Sequence, residues 1–183
     1  MEQIICRNGK ILEIRKLGIN DLGRLEAYLS GLSAETRGHF GPHAFDLQSL
    51  QSLFSHPEVY TGYIVVNPDD GSIGAYAIVK AGYLEYDAPR LRVYGLELSQ
   101  ETDCTFAPSV ADVWQGLGVG ESLFRFIMAD LKSRRFKRII LWGGVQCNNL
   151  PALNYYRKSG FSILGEFEYY GMNYDMIRLL EEN

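Results

Sequence analysis

The sequence has few of the features that mark disulfide-linked, metal-binding or membrane proteins. Its three cysteines, Cys6, Cys104 and Cys147, lie far apart, and no C-x-x-C pair exists. No histidine stands near a cysteine or an acidic pair at ligand spacing, so we expect neither a disulfide framework nor a metal site. Apolar runs are short, as at residues 139–142, and the first ten residues form no basic leader. We therefore expect a cytoplasmic protein with no membrane partner.

Positive charge is not in excess either. The 183 residues include 18 lysines and arginines against 22 aspartates and glutamates, a formal net charge of −4. Nucleic-acid binding needs a basic face, so this balance argues against such a partner. A mildly acidic surface suits a cationic or amine ligand, and it is equally typical of a cytosolic protein. What the chain does have is a hydrophobic fraction of 46%, enough for the core of one domain over residues 1–183.

The first half of the sequence alternates between strand and helix patterns. Leu22, Leu25 and Leu29 recur at helical spacing after Asn20, which we expect to cap that helix. We also expect Asp46 to cap a second, shorter helix. In chain order we predict a strand over residues 11–17, a helix ending near Gly31, a loop or broken helix over 33–42, a helix ending near Pro57, and a hairpin of strands 63–66 and 73–79.

The second half contains a strand–helix–strand unit. Strands are predicted over residues 103–110 and 138–142, and Pro108 marks an edge or a bulge because proline cannot donate to a ladder. A right-handed crossover makes these two strands parallel. Since hairpins flank the crossover, we expect a mixed sheet. The remaining predictions are an amphipathic helix after Gly120, a helix over 149–158 and strands over 161–169 and 174–180; residues 82–101 show no clear pattern.

Residues 115–120 carry the clearest chemical signal. Gly116, Gly118 and Gly120 follow a predicted strand and open a helix. Glycine lets the backbone approach a phosphate, and the unpaired N–H groups of a helix start point at it, so the turn predicts a nucleotide or pyrophosphate site. A P-loop needs a Lys-Ser/Thr pair and a dinucleotide-binding turn needs G-x-G-x-x-G; the sequence has neither. A coenzyme A diphosphate loop and simple tight packing of helix on strand remain open.

A second motif, one helix and one strand later, distinguishes these alternatives. The first motif consists of Gln115, Gly118 and Gly120, and the second of Asn149, Ala152, Tyr155, Tyr156, Gly160 and Phe161. The first resembles the Q/R-x-x-G-x-G/A pattern of the GNAT superfamily of acetyl-CoA-dependent N-acetyltransferases, and the second resembles its N-x-x-A-x-x-F/L/Y-Y-x-x-x-G-F pattern. The resemblance covers residues 103 to about 170, and the order of earlier elements is also similar.

The resemblance implies a fold and a cosubstrate. The fold is the GNAT acyl-CoA N-acyltransferase fold, an α/β (α+β) arrangement with a mostly antiparallel central sheet, one splayed parallel strand pair and helices on both faces. The cosubstrate is acetyl-CoA, lying where strands 103–110 and 138–145 separate, with Pro108 and the glycines at 143–144 fitting such an interruption. The implied binding residues are Ser109, Val110 and Asn149 for pantetheine, and Gln115, Gly116, Leu117, Gly118, Val119 and Gly120 for the diphosphate.

The resemblance also implies catalytic roles. Tyr156 matches the tyrosine that protonates the departing CoA thiolate, although such a residue also commonly packs a helix onto a sheet. The family often uses a carboxylate near the strand before the loop to deprotonate the amine; Asp103 leads here, with Glu97 and Glu101 as alternatives. We expect direct acetyl transfer to a primary amine through a tetrahedral intermediate. No cysteine has a histidine or acidic partner in sequence that would make it a nucleophile.

Two features of the sequence leave the function partly open. The same fold also suits a non-catalytic CoA-binding sensor or structural module, which would not need Tyr156. The stretch 82–101 is longer than the hairpin the family often has there, and we expect it to help form the acceptor pocket. His39, Phe40 and His43 form a second candidate wall. The acceptor is predicted to be a small-molecule or peptide amine, and a homodimer is plausible.

Overall fold

The computed structural model describes residues 1–180. Its contacts cluster into two compact units, and neither unit is continuous in sequence. The first comprises Met1–Val79 and Ala107–Ala129; the second comprises Lys80–Phe106 and the chain from Asp130 onward. No helix in the described residues is long and apolar enough to cross a bilayer.

Strands and helices alternate along the chain, as the mixed α/β prediction requires. The strands are β1 (Glu2–Ile5), β2 (Ile11–Lys16), β3 (Tyr60–Val66), β4 (Ile73–Ala81), β5 (Asp103–Val110), β6 (Arg138–Leu141), β7 (Val145–Gln146), β8 (Ser162–Glu168) and β9 (Met172–Leu179). The helices are α1 (Leu22–Gly31), α2 (Ala34–His39), α3 (Leu47–Phe54), α4 (Ala88–Val93), α5 (Val119–Ser133) and α6 (Leu150–Lys158).

The first unit is built on antiparallel pairing. β1 pairs with β2 and β2 with β3, and β3 neighbours β4 in the predicted hairpin. Leu12 and Ile14 alternate with more exposed residues along β2, which has the period of a half-buried strand. β4 instead is buried at every position from Ile73 to Val79, as expected of a central strand covered on both faces.

The helix starts of the first unit confirm one predicted cap and correct another. Asp46 caps α3, and its carboxylate accepts the Ser49 N–H at 2.9 Å. Asn20 does not cap α1, because a turn of 3₁₀ helix over Ile19–Asp21 precedes that helix. The broken-helix prediction for residues 33–42 is confirmed by the six-residue α2, capped by Ser33.

The second unit contains the parallel pair. β5 pairs with β6 in parallel from Asp103 opposite Arg138 to Phe106 opposite Leu141, whereas β6, β7 and β8 all pair antiparallel with β9. The parallel ladder closes with the Trp142 N–H donating to the Phe106 carbonyl at 2.9 Å. Two glycines at positive φ, 143 and 144, then end the strand. The predicted interruption at these glycines is confirmed.

The backbone at Gly144 shows why glycine is needed at the strand end. A β-carbon built there would lie 2.7 Å from both the Phe167 ring and the Tyr174 carbonyl oxygen, and φ is +74°. Any side chain would therefore displace a backbone group as well as a ring. This close approach fixes where β6 stops and β7 begins.

The unassigned stretch 82–101 contains α4. This helix has only six residues, too few for a periodic pattern to be visible in the sequence. Leu91 packs with Tyr83, Ile140 and Ile177 in a hydrophobic cluster of the second unit. Two short strands, β1 and β7, also escaped the sequence analysis because four and two residues carry no recognisable alternation.

Asp21 is a buried carboxylate of the first unit that pairs with two arginines. It is buried, accepts a hydrogen bond from Arg15 at 2.8 Å and from the Gly18 N–H at 2.8 Å, and pairs with Arg24. The Arg15 guanidinium, with the Gly18 amide and Arg24 adding to its effect, lowers the pKa of Asp21 from 3.8 to about 2. The ionised carboxylate therefore contributes stability above pH 4, which is lost as the pH falls toward 2.

We predict that Asp21→Asn lowers the free energy of unfolding at pH 7 by about 2 kcal/mol, since one pKa unit corresponds to about 1.4 kcal/mol. The variant should also lose much of the decrease in stability between pH 4 and pH 2. Urea unfolding at several pH values measures both effects. Asp46→Asn, at an exposed helix cap, is the matched control and should change the pH dependence far less. Equal pH dependence in wild type and Asp21→Asn would contradict the assignment.

Candidate active site

The glycine turn at residues 115–120 has the backbone conformation that its sequence predicts. A turn of 3₁₀ helix over Asp112–Trp114 leads into it, and the Gln115 side-chain amide donates to the Val110 carbonyl at 3.1 Å and to Asp112 at 3.0 Å. Gly116 and Gly118 have φ of +72° and +85°. These are conformations that glycine adopts without steric cost.

Two carbonyl groups of this turn are held by Arg7 of the first unit. Arg7 donates its side chain to the Gly116 carbonyl at 3.1 Å and its backbone N–H to the Leu117 carbonyl at 3.1 Å. Because the carbonyl and N–H of one peptide point in opposite directions, the following N–H groups of Leu117 and Gly118 face away from Arg7.

Four consecutive N–H groups in the middle of the turn are left unengaged. Those of Gly116, Leu117, Gly118 and Val119 donate to no acceptor among residues 1–180. α5 begins at Val119 and has 15 residues, so the partial positive charge of a long helix start adds to these donors. A row of free amides on an open glycine backbone is the arrangement that binds an anionic group such as a diphosphate.

Arg7 is a residue of the site that sequence reasoning missed. It lies 109 positions before Gly116, in the turn between β1 and β2, so no local pattern connects the two. Its guanidinium also lies 3.5 Å from Glu121 in the first turn of α5. Arg7 thus holds the turn from its carbonyl side, and its charge is paired with that of Glu121.

The end of β5 is anchored through Ser109. The Ser109 hydroxyl contacts the Tyr28 hydroxyl at 3.0 Å and the Tyr76 carbonyl at 3.4 Å. Its side chain is thus engaged in the interior, and any part in pantetheine binding falls to the main chain. The Val110 carbonyl accepts from Gln115, which ties the strand end to the glycine turn.

The candidate wall that includes His43 forms an aromatic cluster in the first unit. His43 donates from Nδ1 to the Ala44 carbonyl at 2.8 Å, because a carbonyl can only accept. Its Nε2 therefore accepts the hydroxyl proton of the fully buried Tyr76, at 2.9 Å. Burial lowers the pKa of His43, so the ring is neutral near pH 7. Phe40 packs against Tyr76, whereas His39 is exposed.

Tyr156 lies on α6 in the second unit. Its ring makes edge contacts with Tyr155 and Phe161, with centroids 5.2 and 5.5 Å apart. The hydroxyl makes no hydrogen bond within the described chain. Burial raises the pKa of Tyr156, so the phenol keeps its proton at neutral pH and has the protonation state a general acid needs.

Asn149 stands at the start of α6. Its side-chain oxygen accepts the Ala152 N–H at 3.2 Å, which confirms the helix-cap role. Its side-chain nitrogen donates to none of the residues from 1 to 180. The cap therefore occupies only the oxygen and leaves two N–H donors for a ligand.

Asp103 lies at the start of β5 and is buried. It accepts from Arg138 at 2.7 Å and from the Ser99 N–H at 2.9 Å. Arg138 also donates to the Glu97 carbonyl at 2.7 Å. Glu101, the other alternative, is exposed. The structure thus places Asp103 in an ion pair of the second unit, where it stabilises the start of the parallel strand pair.

Two of the three cysteines are buried. Cys6 and Cys104 are buried, and burial raises the pKa of the Cys104 thiol to about 12. The thiolate is the reactive form, so such a thiol is a poor nucleophile near pH 7. In residues 1–180 no three His, Cys, Asp or Glu side chains converge in a way that could hold a metal ion.

A sequence profile described as the acetyltransferase (GNAT) family matches residues 30–161 of the chain. No curated protein matches the sequence significantly. Solved structures share its fold. The GNAT domain of S. lividans PAT superposes with a TM-score of 0.76 at 19% identity, over 98% of this chain and 96% of that one.

Two further structures show how varied the relatives of this fold are. AAC(6')-Ib, solved with paromomycin and acetyl-CoA, superposes with a TM-score of 0.65 at 20% identity, over 92% of this chain and 93% of that one. The ribosomal-protein-S5-alanine acetyltransferase from Vibrio fischeri gives 0.70 at 13% identity, over 92% of each chain. At these identities the structures establish the fold alone. With the profile covering most of the sequence, the chain belongs to the GNAT family of acetyltransferases.

Proposed function

We propose that the chain is an N-acetyltransferase that moves the acetyl group of acetyl-CoA directly to a primary amine. The observation that carries the proposal is the row of unengaged N–H groups at Gly116, Leu117, Gly118 and Val119. A diphosphate is the part of coenzyme A that such a row fits, because it offers several anionic oxygens to donors spaced along one backbone turn. Acetyl-CoA, when bound, supplies the acetyl group as a reactive thioester.

Each residue of the turn has its own role in the proposed diphosphate site. Gly116 and Gly118 keep the backbone open, and the start of α5 contributes about 0.3–1 kcal/mol of favourable interaction with negative charge. Gln115 and Gly120 complete the turn at its two ends. Arg7 holds the carbonyls on the opposite side, so the donors are already oriented before a ligand arrives. We propose that main-chain groups of Ser109 and Val110 and the Asn149 amide bind pantetheine.

Tyr156 is the proposed general acid. Its raised pKa keeps the phenol protonated, and its hydroxyl proton has no acceptor among residues 1–180. A phenol in this state can donate its proton to a departing thiolate. The neighbouring Tyr155 has the same chemistry and packs edge-on against Tyr156, which makes it the natural control.

Asp103 is the proposed proton acceptor for the amine. Its carboxylate already accepts hydrogen bonds from Arg138 and from the Ser99 N–H. To act as a base, Asp103 must accept the proton of the amine on a carboxylate oxygen while it keeps these hydrogen bonds. The proposal is therefore tested by separating the carboxylate from its ion pair.

The acceptor is proposed to be a small-molecule or peptide amine. Structural neighbours include proteins described as acting on an aminoglycoside and on ribosomal protein alanine, and these differ in size and charge. Proteins of this fold are thus described as acetylating acceptors that differ widely in size and charge. A cytoplasmic location and a homodimer also belong to the proposal.

We predict that Gly118→Ala weakens acetyl-CoA binding at least about tenfold, which corresponds to about 1.4 kcal/mol. Alanine disfavours φ of +85°, so the amides of Gly118 and Val119 should turn away from the ligand. The added carbon itself has room, since its nearest neighbour is Arg7 Nε at 3.8 Å. Isothermal titration calorimetry with acetyl-CoA measures the effect.

Gly95→Ala is the matched control for this experiment. Gly95 has φ of +79° and no heavy atom within 4 Å of an added β-carbon, so it carries the same backbone strain outside the turn. The affinity of the Gly95→Ala variant for acetyl-CoA should equal that of the wild type. If Gly118→Ala binds as tightly as Gly95→Ala, the turn does not hold the diphosphate.

Removing the Tyr156 hydroxyl should lower kcat by about 10²-fold, because proton transfer by a positioned group typically contributes 10² or more. Tyr156→Phe should leave the affinity for acetyl-CoA close to that of the wild type. Steady-state release of CoA gives kcat, and Tyr155→Phe serves as the control with an unchanged rate. Full kcat in Tyr156→Phe would reduce Tyr156 to a packing residue.

Asp103→Asn and Arg138→Met should separate catalysis from stability. Each breaks the buried ion pair and should lower the free energy of unfolding by about 3 kcal/mol. Only Asp103→Asn removes the proton acceptor, so it alone should lower kcat/KM by about 10²-fold and change the pH profile of the folded enzyme. Equal kcat/KM and identical pH profiles in the two variants would leave Asp103 a purely structural role.

A further inference from the structure

The turn that joins β1 to β2 lies against the glycine turn at residues 115–120. Arg7 makes the contact, because its guanidinium donates to the Gly116 carbonyl and its backbone N–H to the Leu117 carbonyl, each at 3.1 Å. The guanidinium also passes close to Gly118, where an added β-carbon would lie 3.8 Å from Nε of Arg7. One residue of the hairpin thus lies beside three consecutive residues of the glycine turn.

Three hydrogen bonds close the hairpin turn around Arg7. The Cys6 N–H donates to the Lys10 carbonyl and the Gly9 N–H donates to the Cys6 carbonyl, both at 2.8 Å. The Lys10 N–H also donates to the Asn8 side-chain oxygen at 3.1 Å. Cys6 is buried, so the hairpin is fixed to the first unit immediately before Arg7. The β1–β2 hairpin therefore sets the position of the Arg7 backbone independently of the glycine turn.

The start of the glycine turn is anchored separately from Arg7. Asp112 accepts a hydrogen bond from the Gln115 side-chain amide at 3.0 Å and another from the Thr36 hydroxyl at 2.7 Å. These contacts hold the Gln115 side chain, at the residue before the first glycine. Arg7 acts on the part of the turn that follows, which contains the two glycines at positive φ.

The peptide groups that Arg7 holds carry two of the unengaged N–H groups. The Gly116 carbonyl shares a peptide with the Leu117 N–H, and the Leu117 carbonyl shares one with the Gly118 N–H, so each N–H points away from Arg7. Glycine populates positive and negative φ about equally, so a peptide group next to glycine rotates easily unless something holds it. Ordering a mobile turn on binding costs conformational entropy, and this cost weakens the affinity for the ligand.

The charge of Arg7 is a weaker source of affinity than its hydrogen bonds. Its guanidinium lies 3.5 Å from the Glu121 carboxylate, and both side chains are more than half exposed. Exposed charges are screened by salt, and the paired negative charge offsets the positive one for an anionic ligand. We therefore expect Arg7 to affect a bound diphosphate through the orientation of the glycine turn.

We propose that Arg7 is a positioning residue for the diphosphate of acetyl-CoA, which holds two peptide groups of the glycine turn so that the Leu117 and Gly118 N–H groups are presented to the ligand. The inference rests on the proposed acetyl transfer, which needs this turn to bind the cosubstrate. Arg7 acts through the turn and makes no contact with the diphosphate itself. The β1–β2 turn is thus part of the cosubstrate site, although Arg7 lies 109 positions before Gly116.

Arg7→Met tests the inference in the whole protein. The substitution removes the side-chain hydrogen bond to Gly116 and keeps the backbone donation to Leu117. Isothermal titration calorimetry should show an affinity for acetyl-CoA reduced by about fivefold, which is the size of effect expected from one hydrogen bond. Because the Arg7 side chain is exposed, the variant should fold like the wild type, and thermal unfolding checks this.

Lys10→Met is the matched control for charge. Lys10 is exposed, belongs to the same hairpin turn and makes no side-chain hydrogen bond to residues 115–120, so this variant removes one positive charge and leaves the glycine turn held. It should bind acetyl-CoA with the affinity of the wild type. The difference between Arg7→Met and Lys10→Met should persist in about 0.5 M salt, because salt screens an exposed charge but does not change an oriented backbone.

The motion of the glycine turn gives a second measurement that needs no activity. In the free protein, NMR relaxation should give the Leu117 and Gly118 N–H groups order parameters near the value of rigid backbone, about 0.85. Arg7→Met should lower them toward about 0.6, the range of flexible backbone, whereas Lys10→Met should leave them unchanged. Saturating acetyl-CoA should bring all three proteins to the same values, because the bound diphosphate then orders the turn.

The outcomes distinguish this inference from the function on which it rests. A wild-type protein that does not bind acetyl-CoA would overturn the proposed function, and this inference with it. Wild-type binding together with equal affinities in Arg7→Met and Lys10→Met, or unchanged order parameters in Arg7→Met, would overturn the inference alone. A loss of affinity in Arg7→Met that disappears in high salt would also overturn it, because Arg7 would then act through its charge.

Discussion

The direction of the peptide groups at residues 115–120 is the constraint on which the proposed chemistry depends. Two glycines at positive φ reverse the backbone, and Arg7 binds the carbonyl groups that result. The N–H groups of Gly116, Leu117, Gly118 and Val119 are thereby left without acceptors in residues 1–180, at the start of a long helix. A backbone that is already oriented loses little conformational entropy on binding, so the proposed diphosphate site would need little rearrangement.

Local sequence patterns predicted the main elements well. The hairpin, the parallel pair of β5 and β6, and the helices α3, α5 and α6 were visible because each has a full period of apolar residues or a recognisable cap. Elements of two to six residues, namely β1, β7 and α4, carry no such period. The predicted cap at Asn20 was wrong because Asn20 lies inside a turn of 3₁₀ helix, where the Asp21 N–H donates to the Gly18 carbonyl, and a turn of three residues leaves no periodic pattern in the sequence.

The candidate site was predictable only where it is continuous in sequence. The glycine turn and the tyrosine of α6 lie in motifs, so their positions could be found from spacing. The Arg7–Gly116 and His43–Tyr76 hydrogen bonds join residues 109 and 33 positions apart, and no local signal connects them. For Asp103 the resemblance implied a proton acceptor, and the structure shows that its carboxylate is in a buried ion pair with Arg138. Its part in catalysis stays a prediction.

The interleaving of the two compact units limits how the chain can acquire its structure. The chain leaves the first unit inside β4, returns inside β5 and leaves again inside α5. Neither unit is a contiguous fragment, so proteolysis or gene truncation at these crossings cannot release an intact module. During synthesis the first 79 residues cannot complete the first unit until residues 107–129 have been made, because these include the part of β5 that belongs to it. Such long sequence separations slow folding, and they couple the appearance of the glycine turn to completion of the unit that contains it.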